Sequence, residues 1–392
     1  MIPSTLQRVE TVQHILQHTP YTASNNHTQA VLNKLKVCRT AALGYHLYKC
    51  SDAVCNALKY QYHSCRNRHC PNCGGLQKEE WIEQRKNELL PIDYYHVVFT
   101  LPHELNSVIL GNRTVLFNLL FDASKQTLLR FASDEKYLGA TPGIISILHT
   151  WGQQLSFHPH VHCIVSGGGI VTDNEILQWK NATRNKDGFL FPVKAMNIVF
   201  RALYLEGLKK LTAQNKLSLL PSINISELIR ILYKKDWIVY AKKPFGGPQQ
   251  VIDYLGRYTH KVAIGNQRIK KIDGQEHTVT FEYKDYADDN KQKAMTLDDV
   301  EFIRRFEQHI LPKGFTKIRS YGYLSNRGRT GRINAITTSM ELPAHPPKVE
   351  LPLQVKLLVR YGIKQHECPK CKQETLELVT IQLTNAPIVD SG

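Results

Sequence analysis

The stretch Phe157-His158-Pro159-His160-Val161-His162-Cys163-Ile164-Val165 decides the fold, because it carries a histidine at every second position before an apolar run. Alternate side chains of a β-strand point to the same face, so His160 and His162 project together while Val161 and Cys163 face the core. Two imidazoles on one face can share a metal ion. The stretch therefore predicts a strand that carries a metal site.

The third ligand of that ion stays open at this point. His158 lies on the same strand face as the other two histidines. Gln249, Gln250 and Asp253 belong to a later segment that could reach the site. Imidazole ligands ordinarily favour Zn²⁺ over Mg²⁺, so the histidines alone do not select the ion.

The second group of candidate catalytic residues lies in 251–261, Val-Ile-Asp-Tyr-Leu-Gly-Arg-Tyr-Thr-His-Lys. If they are helical, Tyr254 and Tyr258 lie one turn apart on one face. Such a pair alone is more often packing than chemistry. Opposite a metal motif, and with Arg257 and Lys261 as basic neighbours, it predicts a pair of nucleophiles, with Tyr254 the first to act.

The chemistry that these residues suit is cleavage of a phosphodiester. A tyrosine oxygen would attack a scissile phosphate in line while the ion stabilises the developing charge. The products would be a 5′-phosphotyrosine and a free 3′-hydroxyl. Because the covalent bond keeps the energy of the phosphodiester, rejoining needs no nucleotide cofactor, and the sequence contains no G-x-x-x-x-G-K-[ST] loop.

Strand and helix patterns alternate on both sides of the histidine stretch. Residues 94–101 are rich in β-branched and aromatic side chains and predict a strand in the middle of a sheet. Apolar spacing predicts one or two helices over 104–131, a hairpin-like pair of strands over 144–171 and more helices over 195–235. Asp273-Gly274 suits a tight turn between two short strands. The mixture predicts an α+β fold.

Six of the nine cysteines lie between Cys38 and Cys73, which indicates a metal site more than a disulfide framework in a cytosolic chain. Cys70 and Cys73 form a close pair, and Cys50 with Cys55 forms a looser partner pair. Four thiolates in a tetrahedron make a closed structural zinc site. The segment therefore predicts structural zinc.

The remaining cysteines leave two alternatives. Cys38 and Cys65 either bind a second zinc ion together with a histidine or are only packed. Near the other end of the chain, Cys368 and Cys371 form a half-site that His366 could assist. We therefore expect one or two structural zinc ions.

The charge balance indicates a polyanionic partner. The chain has 50 basic against 34 acidic residues and a formal net charge of +16. Nucleic acid is the first expectation, and a basic surface that serves only solubility is the alternative. Arg66 and Arg68 lie inside the cysteine segment and could hold phosphates, or could be solvated surface residues.

Neither a signal peptide nor a membrane span is expected. The N-terminal residues lack a basic region followed by an apolar stretch, so we expect a cytoplasmic protein. The uncharged stretch from Gly139 to Thr172 contains four histidines and three consecutive glycines, which does not suit a spanning helix.

Several stretches resemble, in chain order, the HUH-type two-tyrosine rolling-circle transposases of the insertion-sequence family with an N-terminal zinc-binding domain. The resemblance covers most of the chain. It departs from the family at Cys50 and Cys55, which are more widely spaced than the usual two-residue gap. The matching stretches are Ser64-Cys65-Arg66-Asn67-Arg68-His69-Cys70-Pro71-Asn72-Cys73, His96-Val97-Val98-Phe99-Thr100-Leu101-Pro102, Leu148-His149-Thr150-Trp151-Gly152, His158 to His162, Tyr254 to Ile264, and Glu301 to Tyr323.

The resemblance implies an antiparallel sheet flanked by helices, with the histidine strand central. It implies a zinc-binding domain over residues 1–90, a catalytic domain over 91–290 and a basic C-terminal region over 291–392. The expected activity is cleavage and rejoining of single-stranded DNA at transposon ends with Mg²⁺ or Mn²⁺. The basic residues that we expect to contact DNA are Arg66, Arg68, Arg257, Lys261, Arg319 and Arg327.

Two other functions fit the same residues. A replication initiator or conjugative relaxase would use the same metal and tyrosine chemistry on an origin. A zinc-containing DNA-binding regulator would use the histidines and tyrosines only as structural residues. The N-terminal zinc segment favours the transposase.

Overall fold

The computed structural model describes residues 10–73, 75–86, 88–173, 176–182, 188–242, 247, 250–251, 254, 256, 262–343 and 351–383. Within these residues the chain mixes helices with antiparallel strands, so the predicted α+β class is confirmed. The strands are β1 Tyr45–Cys50, β2 Leu58–Tyr62, β3 Tyr94–Thr100, β4 Thr141–Trp151, β5 Phe157–Asp173, β6 Ile176–Asn181, β7 Ile238–Lys242, β8 Ile269–Asp273, β9 Thr278–Asp285, β10 Lys291–Asp298, β11 Ile318–Gly322 and β12 Leu376–Gln382.

The helices lie between these strands. They are α1 Val12–His18, α2 Asn26–Lys36, α3 Gly75–Lys86, α4 Asn106–Gly111, α5 Arg113–Ser133, α6 Val193–Ala213, α7 Ile225–Lys234, α8 Asp299–Glu307, α9 Arg329–Ser339 and α10 Leu353–Tyr361. Short 3-10 turns occupy Ala41–Leu43, His103–Leu105 and Asn266–Arg268. Gln250, Val251, Tyr254 and Gly256 are also helical, and we call the helix that holds them the tyrosine helix.

The largest sheet, which we call the central sheet, has the strand order β11-β4-β5-β3-β7, and β6 pairs with the far end of β5. The histidine strand β5 lies in the middle, and β3 lies between two neighbours, as the sequence predicted. The predicted hairpin over 144–171 corresponds to β4 and β5. Every pairing in this sheet is antiparallel.

The central sheet is covered on both faces. Val161 and Cys163 of β5 point into the larger hydrophobic core, where α5 and α6 contribute phenylalanines such as Phe117 and Phe200. Ile164 points to the opposite face, into a smaller core that includes Tyr254 of the tyrosine helix. Strand alternation thus puts His160 and His162 on the face of the tyrosine helix.

A separate three-stranded meander, β8-β9-β10, packs with α1, α2 and α8 around a third hydrophobic core. Asp273 ends β8, and β9 pairs with it antiparallel, so the predicted hairpin around Asp273-Gly274 is confirmed. Cys38 and Cys70 belong to this core. The cysteine segment is therefore anchored on a packed apolar body.

A third sheet, which we call the terminal sheet, has the order β12-β1-β2 and joins segments from opposite ends of the chain. Among the described residues, its buried cluster consists of Tyr48, Cys50, Cys368 and Leu376. The division of the chain at residues 90 and 290 stays a prediction. Because β12 pairs with β1, the N-terminal and C-terminal regions of that division share one sheet.

No helix within the described residues combines the length and the apolar character that a membrane crossing requires.

Candidate active site and cysteine clusters

Three histidines converge on the central sheet. His149 of β4 pairs directly with His160 of β5, and His162 lies two residues further along β5 on the same face. Each residue offers one ring nitrogen, and these three nitrogens all lie within 4.8 Å of one another. His149 and His162 are buried, and His160 is half-buried. The three imidazoles could therefore bind one metal ion, with His160 on the more open side.

His158 does not join this group, although the sequence offered it as a third ligand. His158 lies four positions before His162 on the same strand, a distance of about 13 Å. His149, on the neighbouring strand, lies beside both His160 and His162. The His158 side chain is exposed. Its backbone carbonyl instead accepts a hydrogen bond from His160 Nδ1 at 2.7 Å, so Nε2 is the ring nitrogen with which His160 could bind an ion.

A stacked pair holds His149 in place. The rings of His149 and Trp151 lie 4.7 Å apart at 19°. Lys317 Nζ lies 5.1 Å from the centre of the Trp151 ring. Stacking on Trp151, which Lys317 also contacts, restricts the imidazole that faces His160 and His162.

The phenol of Tyr254 lies against the same group. Its Oη is 2.6 Å from His96 Nε2 and 3.0 Å from His162 Nδ1. His96, on β3, also contacts His162, with 2.9 Å between His96 Nε2 and His162 Nδ1. Because Nδ1 of His162 is used in these contacts, its Nε2 is the atom left for an ion.

The protonation of His96 follows from its burial. Burial lowers the pKa of the His96 imidazole to about 3, and the charge of Lys242 adds to this shift. The imidazole is therefore neutral near pH 7 and offers one nitrogen as a hydrogen-bond acceptor. Nε2 in that role can accept a hydrogen bond from the Tyr254 hydroxyl.

Tyr258, Arg257, Lys261, Gln249 and Asp253 fall outside the described residues. Gln250 is described and is exposed in the tyrosine helix.

His149 and His96 were the functional residues without a role in the sequence analysis, although both belong to stretches that carry the resemblance. Alternation along β5 identifies which of its own residues share a face, but it contains no information about the strands that pair with it. A usable signal exists: each histidine lies in a predicted strand, and each shares its face with no charged residue in that strand.

The cysteines form two clusters of four. Cys38, Cys65, Cys70 and Cys73 make the first cluster, in which Sγ–Sγ distances are 3.5 Å from Cys38 to Cys73 and 3.6 Å from Cys65 to Cys73. This cluster brings Cys38 and Cys65 to the Cys70–Cys73 pair, in place of the Cys50–Cys55 pair that the sequence suggested. The second cluster consists of Cys50, Cys55, Cys368 and Cys371.

Comparison with known proteins gives two family matches. A family described as "Transposase zinc-binding domain" matches residues 9–101, and a family described as "Putative transposase" matches residues 143–331. The "Putative transposase y4qJ" of Sinorhizobium fredii is 40% identical over 380 residues, which cover 94% of this chain and 91% of that protein. The chain belongs to the HUH-type rolling-circle transposases with an N-terminal zinc-binding domain.

Two further likenesses differ greatly in strength. The "Transposase for insertion sequence element IS801" of Pseudomonas savastanoi pv. phaseolicola is 32% identical over 297 residues, 76% of this transposase and 70% of that protein. A solved structure of TrwC with a 27-mer DNA covers 42% of this transposase and 71% of that chain, at 11% identity and a TM-score of 0.22. A TM-score of that size does not define the fold of this transposase.

The arginines expected to contact DNA have different surroundings. Arg68 of the transposase donates hydrogen bonds to the carbonyls of Phe315 and Pro312 at 2.6 and 3.0 Å, so its guanidinium holds the first cysteine cluster against the segment before β11. Arg319 lies 4.1 Å over the Phe121 ring, on the face of the central sheet opposite the histidines. Arg66 and Arg327 are exposed.

Proposed function

We propose that this transposase cleaves and rejoins single-stranded DNA at transposon ends through a 5′-phosphotyrosine on Tyr254. The observation that carries the proposal is the contact of the Tyr254 hydroxyl with a histidine that belongs to a three-imidazole group. A nucleophile beside a candidate metal site is the arrangement that metal-assisted phosphoryl transfer needs. The family relationship supplies the substrate class.

The proposed ligands of the catalytic ion are His149, His160 and His162. A group of three imidazoles without a carboxylate fits a divalent transition metal, and of the two expected ions it suits Mn²⁺ better than Mg²⁺, which prefers oxygen ligands. When bound, the ion would polarise the scissile phosphate and stabilise its developing negative charge. We propose Zn²⁺ for the first cysteine cluster, within the matched zinc-binding domain.

His96 would accept the proton of the nucleophile. The Tyr254 hydroxyl donates its proton to His96 Nε2 as its oxygen attacks phosphorus. A bond from Tyr254 Oη to phosphorus forms and the bond from phosphorus to the 3′-oxygen breaks. The 3′-oxygen takes up a proton from solvent water and leaves as a hydroxyl, and His96 releases the tyrosine proton to solvent, so the protons balance. Rejoining is the reverse, with the 3′-hydroxyl attacking the phosphotyrosine, so no nucleotide cofactor is consumed.

The DNA strand has an exposed path beside the histidines. Tyr240 of β7 pairs with Val98, which pairs with His162, so Tyr240 lies about 10 Å from the histidine strand on the same face. Tyr240 is 50% exposed, and its neighbour Ile238 is 63% exposed. Exposed aromatic rings stack on the bases of single strands without regard to sequence. We propose that a base next to the scissile phosphate stacks on Tyr240.

Several parts of the proposal rest on the family resemblance alone. Tyr258 would hold one strand while Tyr254 cuts again, and Arg257 and Lys261 would contact phosphates. Arg66, Arg319 and Arg327 would bind the DNA more distantly. The enzyme would act in the bacterial cytoplasm, at the nucleoid. A replication initiator or relaxase would use the same chemistry, and the zinc-binding domain favours a transposon end as the substrate.

A labelled single-stranded oligonucleotide that carries the transposon end tests the proposal. With Mn²⁺ or Mg²⁺ the wild-type protein should form a covalent adduct, which mass spectrometry of tryptic peptides should locate on Tyr254. Tyr254→Phe should form no adduct in the first cleavage and should bind the oligonucleotide as wild type does.

Tyr204→Phe is the matched control, since the Tyr204 hydroxyl is buried without a hydrogen-bond partner among the described residues and lies in the core on the other face. This variant should form the adduct at the wild-type rate. An adduct on another residue in the wild-type protein would overturn the role of Tyr254. Failure of any adduct to form across a pool of end sequences would leave the non-catalytic DNA-binding regulator as the better account.

A further inference from the structure

The second cysteine cluster joins two segments that are far apart in the chain. Cys50 ends β1 and Cys55 follows it in a turn, whereas Cys368 and Cys371 lie in the turn before β12. The Sγ atoms of Cys50 and Cys371 are 3.8 Å apart, and those of Cys55 and Cys368 are 3.7 Å apart. All four Sγ atoms lie within 4.8 Å of one another.

These distances suit a tetrahedral zinc ion and not disulfides. With Zn–S bonds of about 2.3 Å, the sulfurs of a tetrahedral site are about 3.8 Å apart. A disulfide would need about 2.05 Å. The two measured distances differ from the tetrahedral value by no more than 0.1 Å.

The backbone around the cluster has the form of two turns that present thiolates. Asp52 Oδ1 accepts hydrogen bonds from the amides of Val54 and Cys55, at 2.9 and 2.8 Å, which shapes the first turn. In the second turn the Cys368 amide donates to the Gln373 carbonyl at 2.7 Å, and the Lys372 amide donates to the Cys368 carbonyl at 2.9 Å. Both turns are thus closed by hydrogen bonds of their own.

The Thr375 hydroxyl contacts one cysteine from each half of the second cluster. Thr375 Oγ1 lies 3.0 Å from Cys50 Sγ and 3.6 Å from Cys371 Sγ. A hydroxyl in this position can donate to a metal-bound thiolate, which is the role that residues around a zinc site commonly have. The Thr375 carbonyl also accepts from the Ser51 amide at 2.8 Å, which ties the two turns together.

The terminal sheet has little else to hold it together. In the part of the chain that the structure describes, only Tyr48 and Leu376 join Cys50 and Cys368 as buried residues of its cluster. On β12 the side chains of Leu378, Val379 and Ile381 are each about half exposed, at 49%, 56% and 49%. A sheet with so small a core needs a metal or a covalent link to be stable.

We infer that Cys50, Cys55, Cys368 and Cys371 bind one structural Zn²⁺ that fastens the C-terminal strand onto the N-terminal zinc-binding domain. Neither family match contains Cys368 or Cys371, because the matches cover residues 9–101 and 143–331. The zinc-binding domain of this transposase is thus completed by residues 313 positions further along the chain. Thiolate ligands without a carboxylate select a soft metal such as zinc.

The number of Co²⁺ ions that thiolates bind in the full-length protein tests this site. The protein reconstituted with Co²⁺ should show thiolate-to-cobalt charge-transfer absorption for two equivalents, which a site of histidines alone does not produce. Cys368→Ser and Cys50→Ser should each lose about one equivalent, and the double variant should lose no more than either single variant. Cys163→Ala, which removes the buried cysteine outside both clusters, should keep both equivalents.

Alkylation of the wild-type protein provides a test that does not depend on how variants fold. In the zinc-loaded protein all four thiols should resist iodoacetamide, including the half-buried Cys55 and Cys371. After chelation the four should become reactive together. The inference is overturned if Cys368 and Cys371 react while Cys50 and Cys55 stay protected, if the four are found as disulfides, or if Cys368→Ser retains both equivalents of cobalt.

Discussion

The central sheet and the terminal sheet obtain their stability in different ways. The central sheet has helices over one face and a second apolar core against the other, with Val161 and Ile164 buried on opposite sides of one strand. Among the described residues, the terminal sheet buries two apolar side chains besides its cysteines. Apolar burial therefore fixes the catalytic geometry, whereas the sheet that joins the chain ends would depend on the zinc ion that we infer. The two sheets should respond differently to metal removal, substitution and acid.

Chelation should give the largest difference between the two sheets. Structural zinc contributes apparent binding free energies of about 10 kcal/mol or more in small zinc domains, and the terminal sheet has little apolar core to replace it. Hydrogen exchange measured by mass spectrometry should show that amides of β1 and β12 lose protection in excess chelator. Amides of β4 and β5 should keep theirs.

Chelator that has been saturated with zinc beforehand is the control and should change neither sheet. Equal loss of protection in both sheets would mean that the central sheet also depends on metal. That result would remove the distinction drawn between the two regions.

Substitution of single histidines should sharpen the assignment of the central sheet. His149→Ala removes a proposed ligand and should slow adduct formation about a hundred-fold or more, with little effect on DNA binding. His158→Ala removes an exposed ring that lies 5.3 Å from the His160 ring, but it keeps the hydrogen bond to His160, which comes from the His158 backbone carbonyl. That variant should stay within a few-fold of wild type.

Both rates should be measured at saturating oligonucleotide, and thermal unfolding should confirm that each variant is folded. Equal losses of activity in the two variants would return His158 to the ligand set and remove the case for His149.

Acid should lower the stability of the fold around the central sheet through the buried imidazole of His309. Burial lowers the pKa of His309 to about 4, and the imidazole contacts Thr150 of β4 and the Leu155 carbonyl, at 3.2 Å each. Below about pH 6.5 the unfolded chain binds a proton that the folded chain excludes. Stability should therefore fall as the pH decreases from about 6.5 to 4, by at most about 3 kcal/mol from this group.

His309→Gln should be less stable than wild type at pH 7 and should show a flatter pH dependence of stability, measured by urea unfolding. His103→Gln, at an exposed histidine, is the control and should keep the wild-type slope. A slope unchanged by His309→Gln would show that other groups cause the acid sensitivity.

The smallest effect is expected at the edge of the central sheet. Tyr240→Ala should weaken binding of the single-stranded oligonucleotide about ten-fold, since a stacked base contributes about 1–3 kcal/mol. Tyr233→Ala removes a tyrosine of α7 that is 55% exposed and should leave binding unchanged. Fluorescence anisotropy at fixed salt measures both. Similar losses in the two variants would indicate a general effect of surface aromatics and not a defined path.

Local patterns predicted much of the central sheet. Alternation identified β5 and the face that His160 and His162 share, and the apolar run before Pro102 identified β3 as an interior strand. The α+β class followed from the mixture of strand and helix patterns. Each of these features depends on residues that are close in sequence, which periodicity can report.

Long-range pairing could not be predicted in the same way. His149 reaches His160 only because β4 pairs with β5 in one particular register, and a shift of one residue would turn it to the other face. Cys368 reaches Cys55 across 313 residues, for which no local pattern exists. The C-terminal pair was recognisable as a half-site, but its partners depended on the fold.

The exposed apolar side chains of β12 have a consequence for solution behaviour. Residues 376–382 contain the β-branched run Val379-Thr380-Ile381, carry a single charge at Glu377 and lack proline and glycine. Segments of this kind aggregate by adding strand to strand when both of their edges are free. In the folded protein β1 covers one edge of this strand. Release of the zinc ion would uncover both edges, so metal-free protein should self-associate into β-rich aggregates while its catalytic sheet is still folded.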